Sequence, residues 1–552
     1  MKKFISIYLA LTFSFLTLPL QSNAKINTKK IDSLLNDLFD KNGAGGIALV
    51  VKDGKTVYRK AFGMANLEFD IKMTPENVFQ IGSITKQFTA MAIMKLVEQK
   101  KINLDDEITQ FIKDYPTHDH KITIEHLLTH TSGIKSYTSI KNWISAKRRL
   151  DSTPEEVIDY FKNEPMDFKP GEKQKYSNSG YYLLGYIIEK ISGQPYGEFI
   201  EKNLLQPLKM SDSSYGSVAK IIKNKVSGYA KSGDTYINAE YWSISQAYAA
   251  GGLFSTVDDL YKWYAAVTSN QVVSEASFNQ AISPTILNNG EQATYGFGWQ
   301  LGNIKGSPMI SHGGNMDGYA TWSNFLLDEN VFVAVFSNCM CNYPYEVSNK
   351  ITAIAIDKPF EWKEISLDEE LLNSYDGIYS SKEFGERVLS YTNGILKFYM
   401  PEGRKFTLHP FSKDKFFFDK QPHLFNTLNV IRGANGKISS IKMLSISADK
   451  TWAKTNKNIP KYHAIEISTE ALKKYVGKYE LFPHFFLNIV LENNNLFIVE
   501  TGRSKGKLTA YAEHKFDSGF LDTQFTFNFD DSNNVISFTL HRGGDTEAKK
   551  VD

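Results

Sequence analysis

Only two of the 552 residues are cysteine, Cys339 and Cys341, one residue apart. So few cysteines exclude a disulfide framework as the source of the fold. With no histidine nearby they also make a poor metal site, and neither a metal nor a cofactor is expected. Charge of one sign is missing too: 63 basic against 61 acidic residues leave +2, so no strong field argues for a nucleic-acid partner. There is no phosphate loop. Gly251-Gly252 is not followed by Gly-Lys-Ser/Thr and reads as a turn. The apolar run from Phe4 to Leu20 follows a basic Met1-Lys2-Lys3 and precedes Ser22-Asn23-Ala24, the layout of a secretory leader cleaved after Ala24. It is slightly short for a membrane span, so a membrane association is expected only if the leader is retained. No cysteine follows it to carry a lipid. The expected location is periplasmic or secreted.

What is present reads as a multidomain globular chain. Its length suggests about three or four domains, and 42% apolar with 22% charged residues is ordinary for a folded protein. Ile31, Leu34, Leu35, Leu38 and Phe39 have helical spacing, and Ile47 to Val51 and Thr56 to Phe62 flank Asp53-Gly54 as a hairpin. Thr123 to Leu128 reads as a short helix. Ser152-Thr-Pro-Glu-Glu156 opens another with a capping signature. A helix from about Gly180 to Ile191 stops near Gly193, and Ser255-Thr-Val-Asp-Asp259 opens a further one. Strands are expected at Tyr295 to Leu301, Pro308 to Ser311, Tyr319 to Leu326 and Val331 to Ser337, then a helix from about Tyr345 to Ile356. Strands at both ends of a helical middle indicate one α+β domain whose sheet is assembled from distant segments.

Beyond about Asp357 the texture changes to short strands and turns, with an internal repeat offset by one hundred. Leu372-Asn-Ser-Tyr-Asp-Gly-Ile-Tyr379 matches Leu472-Lys-Lys-Tyr-Val-Gly-Lys-Tyr479, and Lys415-Phe416 matches Lys515-Phe516. Two similar small antiparallel β-domains, barrel-like or sandwich-like, follow from this. They are placed at 365–456 and 464–552, joined by the polar stretch from Lys454 to Tyr462.

The stretch Phe79-Gln-Ile-Gly-Ser-Ile-Thr-Lys-Gln-Phe-Thr-Ala90 carries Ser83 and Lys86 three residues apart, ahead of an apolar helix. Near a helix start, a serine hydroxyl lies where the dipole favours developing negative charge, with Lys86 one turn on, on the same face. That is a nucleophile with a base beside it. Ser is also an ordinary helix cap, and Ser-x-x-Lys recurs at Ser22/Lys25, Ser132/Lys135, Ser217/Lys220, Ser412/Lys415, Ser439/Lys442 and Ser447/Lys450. What distinguishes Ser83 is its company. Tyr176-Ser-Asn178 and His312-Gly-Gly-Asn315 follow in order, with His130-Thr-Ser-Gly133 and Ala250-Gly-Gly-Leu-Phe254 between them.

With these motifs in this order, the segment from about Ile31 to Ile356 resembles the serine hydrolase family of class C β-lactamases, DD-peptidases (low-molecular-mass penicillin-binding proteins), D-aminopeptidases and related esterases. The resemblance implies a β-lactamase-like domain over 25–360, an antiparallel sheet flanked by helices with a helical subdomain. It implies Ser83 as nucleophile forming an acyl-enzyme, with Lys86 and Tyr176 as the base pair, either being able to deprotonate Ser83. It implies that Asn178 holds Lys86 and offers an amide to the substrate. The backbone N–H groups of Ser83 and Asn315 would be the oxyanion hole, with Gly313 and Gly314 allowing close approach. His130 is read as structural, and Trp299 and Tyr319 as core or cleft wall. One departure matters: many relatives have Lys-Thr-Gly where this chain has His312-Gly-Gly314, so donors for a penicillin's carboxylate are missing. His312 is expected to face the substrate and set its choice. The implied function is an exported acyl-hydrolase of small amides, with D-amino-acid peptides or cell-wall fragments as substrates. Alternatives are a carboxylesterase or β-lactamase of the same family, or a penicillin-binding sensor or scaffold without turnover. A small-molecule or peptide substrate is the expected partner; oligomeric state is left open.

Overall fold

A computed structural model describes residues 26–140, 148–217, 219–392, 394–400, 405–418, 426–447, 449–457, 459, 465–482, 485–500, 505–518, 523–541 and 545–551. The leader expected over 1–24 lies outside them, as does part of the stretch joining the two C-terminal domains.

The first domain is built on a six-stranded antiparallel sheet. Its strands are β1 (Gly46–Lys52), β2 (Lys55–Phe62), β3 (Gln300–Ile304), β4 (Ser307–Met316), β5 (Tyr319–Leu326) and β6 (Val331–Ser337). Their order across the sheet is β3-β4-β5-β6-β1-β2. The centre is therefore a long-range pairing, with Gly46 opposite Ser337 and Lys52 opposite Val331. Alternation along β6 divides the core in two. Val331, Val333 and Val335 face α1 (Thr28–Leu38) and the helix Pro344–Ala355, packing with Ile31, Leu35 and Ile351. Phe332, Ala334 and Phe336 join the larger core on the other face, with Phe88, Trp263 and Leu49.

The helical signals act locally as their chemistry dictates. Thr153 accepts from the Glu156 N–H while the Glu156 carboxylate accepts from Thr153, with Pro154 in the first turn. Gly193, at φ +69°, ends the helix Asn178–Ser192 in the left-handed region. One expected strand is corrected. The run from Tyr295 is not a strand until Gln300. Gly298, at φ +87°, crosses against the Ser83 helix so closely that a Cβ would lie 2.8 Å from the Lys86 carbonyl oxygen.

The two C-terminal domains are closed eight-stranded antiparallel barrels, one from Gly377–Ser381 to Lys450–Lys454, the other from Gly477–Phe482 to Asp545–Lys550. The hundred-residue repeat is structural: Tyr379 and Tyr479 each donate at 2.7 Å to the carbonyls of Tyr375 and Tyr475, and all four tyrosines are buried. Phe416 and Phe516 pack on Tyr375 and Tyr475. The first barrel also touches the hydrolase-like domain, where the Asn303 N–H donates to the Ile446 carbonyl at 2.8 Å. Just past β6, Cys339 and Cys341 are joined to each other as a disulfide across Met340.

Candidate active site

Ser83 sits in a 3₁₀ turn, Gly82–Ile84, that runs directly into the helix α2 (Thr85–Glu98). Gly82 makes that turn with φ +51°. A Cβ there would stand 2.9 Å from the Asn315 nitrogen, and one on Gly314 would stand 1.8 Å from the Ile81 carbonyl oxygen. The Ser83 turn and β4 are thus in van der Waals contact. β3 pairs with β4 only from Ser307 to Ser311. From His312 onward that edge of β4 has no partner strand among the described residues, and Asn315 is exposed there. The structure brings the Ser83 and Asn315 backbones to one place, as two converging oxyanion donors require. The Gly314→Ala variant is expected to lose about 100-fold in acylation rate, the scale of one displaced oxyanion donor. Stopped-flow acylation by an activated ester measures this, and a rate within threefold of wild type would remove Gly314 from the site.

Lys86 is fully buried, and its Nζ has three neighbours: Ser83 Oγ at 3.1 Å, Asn178 Oδ1 at 2.8 Å and the Ala250 carbonyl at 2.7 Å. It makes no ion pair among the described residues, and burial drives its pKa well below the usual lysine range. A neutral amine satisfies all three contacts, accepting from Ser83 and donating to the other two. The Ala250 carbonyl is available because Tyr248, at φ 43° and ψ −131°, breaks the helix Ile244–Gly251. The neighbouring Ala249 carbonyl accepts from Thr89 Oγ1 at 2.7 Å.

Tyr176 closes the other side. Its ring lies 4.8 Å from Lys86 Nζ, and Ser83 stands close enough to influence its phenol. Burial raises the phenol's pKa and Ser83 opposes the rise. The residue sits deep in the fold yet is 40% exposed along the cleft. Solvent therefore reaches the ring. Asn178 holds Lys86 as expected of it, and its Nδ2 donates to Thr138 Oγ1 at 3.0 Å, so one amide proton remains for a substrate.

His312 is enclosed. Its ring is only 2% exposed. Nδ1 lies 2.6 Å from the Gly313 carbonyl, which can only accept, so Nδ1 carries the proton and Nε2 accepts from the Tyr295 hydroxyl at 2.8 Å. Burial pushes its pKa down to about 3, any proton on Lys86 would push the same way, and the Gly313 bond opposes them. His312 is thus a neutral, buried residue, packed beside the rings of Tyr176 and Tyr295. His130, read as structural, belongs to the site's support. Its Nδ1 accepts from the Ser177 N–H at 3.2 Å, and its ring lies 4.3 Å from that of Tyr176 and 4.5 Å from that of Tyr295. Trp299 is fully buried, and the Tyr319 hydroxyl donates to the Val226 carbonyl. Tyr295, Thr138 and the Ala250 carbonyl carry no motif that sequence reasoning could have singled out, beyond the Ala250-Gly-Gly run.

Comparisons with known proteins identify the family. The Beta-lactamase family model matches residues 31–356, more than half of the chain. Residues 461–550, which include the second barrel, match a family described as Domain of unknown function (DUF3471). Penicillin-binding protein 4* of Bacillus subtilis is 28% identical over 417 residues, covering 70% of this chain and 91% of its own. The octameric penicillin-binding protein homologue from Pyrococcus abyssi superposes with a TM-score of 0.55 at 24% identity, covering 95% of this chain and 100% of its own. D-amino acid amidase from Ochrobactrum anthropi superposes with a TM-score of 0.53 at 22% identity, covering 60% of this chain and 99% of its own. The chain belongs to the β-lactamase family of serine hydrolases.

Proposed function

We propose that this protein is an exported amidase that cleaves small amides of D-amino acids or short D-amino-acid peptides through an acyl-enzyme on Ser83. Neutral Lys86 takes the Ser83 proton as Oγ attacks the carbonyl, and the Ser83 and Asn315 N–H groups receive the oxyanion. Tyr176, still protonated, gives its proton to the leaving nitrogen and regains one from the Lys86 ammonium beside its ring. Water then releases the acyl group and restores the Ser83 hydroxyl.

One observation carries the choice of substrate. Where many relatives place a cationic lysine, this chain has His312, uncharged, buried and with both nitrogens engaged. A substrate carboxylate beside the scissile bond finds no cation at that position, which favours neutral amides over penicillins. Export is supported by the leader-like first 24 residues and by the Cys339–Cys341 pairing, of a kind that persists in oxidising compartments.

A panel of D-amino-acid amides, short-chain aryl esters and a chromogenic cephalosporin tests this. Amides and esters are expected to turn over at least ~100-fold faster in kcat/KM than the cephalosporin, about 2.7 kcal/mol of discrimination. A cephalosporin hydrolysed as fast as the amides would overturn the reading. A stoichiometric burst without turnover on every substrate would make the protein an acylating sensor instead.

A further inference from the structure

Beside Tyr176 lies a cavity of about 230 Å³ whose walls come from two domains. The hydrolase domain contributes Tyr176, Tyr295, Ser311 and Trp322, and the first barrel contributes Ile446 and Ser447. The barrel's share is fixed in place. Ile446 is buried within the core that also holds Val331 and Ile304, and its carbonyl accepts from the Asn303 N–H at 2.8 Å. The fit on the sheet edge is close enough that a Cβ at Gly302 would lie 2.4 Å from the Ile446 oxygen. Ser447 stays exposed at the rim. Among the described residues, no charged side chain lines the cavity. It opens next to Tyr176, whose ring lies 4.8 Å from Lys86 Nζ.

We infer that the first barrel supplies part of the substrate cleft, closing with Tyr176 and Tyr295 a subsite for a small, uncharged leaving group. This rests on the Ser83 acyl-hydrolase reading and adds where the departing half of the substrate sits and what chemistry it has. Tyr176 faces both the cavity and Ser83, so a group protonated by Tyr176 leaves into this space. The absence of charge in its walls repeats, on a second set of residues, the neutrality of His312. A leaving group bearing a free carboxylate would shed its hydration here without a cation to replace it.

Ser447 belongs to one of the Ser-x-x-Lys sequences and lies on an exposed turn, so substitutions there test the subsite without disturbing a core. Two ratios of kcat/KM read it: 2-naphthyl against methyl esters of one N-acetyl-D-amino acid, and N-acetyl-D-alanyl-D-alanine against its C-terminal amide. The full-length Ser447→Trp variant is expected to lower the first ratio at least tenfold by filling the cavity. Ser447→Arg is expected to raise the second at least tenfold by adding the missing cation. Both ratios within twofold of wild type, in variants with unchanged melting curves, would overturn the subsite while leaving the Ser83 reading intact. Wild-type protein with no Ser83-dependent turnover of any of the four compounds would remove both.

Discussion

Ser83→Ala protein is expected to take up no fluorophosphonate probe, with loss of labelling complete rather than partial. Eight Ser-x-x-Lys sequences occur in the chain, and three of the described rivals are spent on other contacts. Lys135 pairs with Glu164 at 3.2 Å, and Ser132 Oγ accepts from the Ile134 N–H. Lys220 pairs with Glu201 at 2.6 Å, and Ser217 Oγ accepts from the Lys220 backbone. Ser439 donates to the Ile431 carbonyl on the outside of a barrel. Ser83 differs in having a buried amine 3.1 Å away and the Tyr176 phenol nearby. Gel fluorescence after probe treatment checks this, with Ser439→Ala as the variant that keeps full labelling. A labelled Ser83→Ala protein would move the nucleophile elsewhere.

Lys86→Met should cost between about 100-fold and 10,000-fold in acylation, the range for loss of a general base. The pH dependence sharpens the prediction. A base must be unprotonated, so kcat/KM rises with pH through the Lys86 pKa, which burial has moved well below the usual lysine range. The Tyr176 phenol must keep its proton to serve the leaving group, and burial moves its pKa upward. The two shifts separate acid from base and leave a flat region across neutral pH, the pattern of paired groups with opposed environments. Tyr176→Phe is expected to lower the plateau and leave the acidic limb where it is, whereas Lys86→Met removes the limb. A wild-type profile that climbs only above pH 9 would show Lys86 to be an ordinary ammonium and would return the base to Tyr176.

Much of this site could be read from residue order, because local chemistry placed it. Ser83 and Lys86 share a helical turn, Asn178 begins a helix, and Gly314 had to be small for β4 to pass the Ser83 turn. The strands Tyr319–Leu326 and Val331–Ser337 were fixed by apolar runs between turn residues. What could not be read involves facing and distance. Both faces of β4 are covered, so its sequence has no clean alternation to show that His312 is buried. His130 and Tyr176 lie far apart in the chain, and nothing in a lone histidine announces that it will back a catalytic ring. The run from Tyr295 is aromatic and apolar like a strand, but its glycines let it cross a helix instead. Cys339 and Cys341 are too close in sequence for spacing alone to predict that they pair.

The pairing of β1 with β6 dictates when the protein can exist during its own synthesis. β1 emerges among the first segments of the domain and must wait for nearly all of the rest before its neighbour is made. Until β6 up to Ser337 has been synthesised, the sheet piece that carries Asn315, β3 to β5, is not joined to β1 and β2. Loop closure over such a span is slow and favours late, all-at-once assembly. The barrels obey the opposite rule, each strand meeting the next as it appears. A chain cut short before β6 is therefore expected to lack the strand that joins the two halves of the sheet, and with it a complete site.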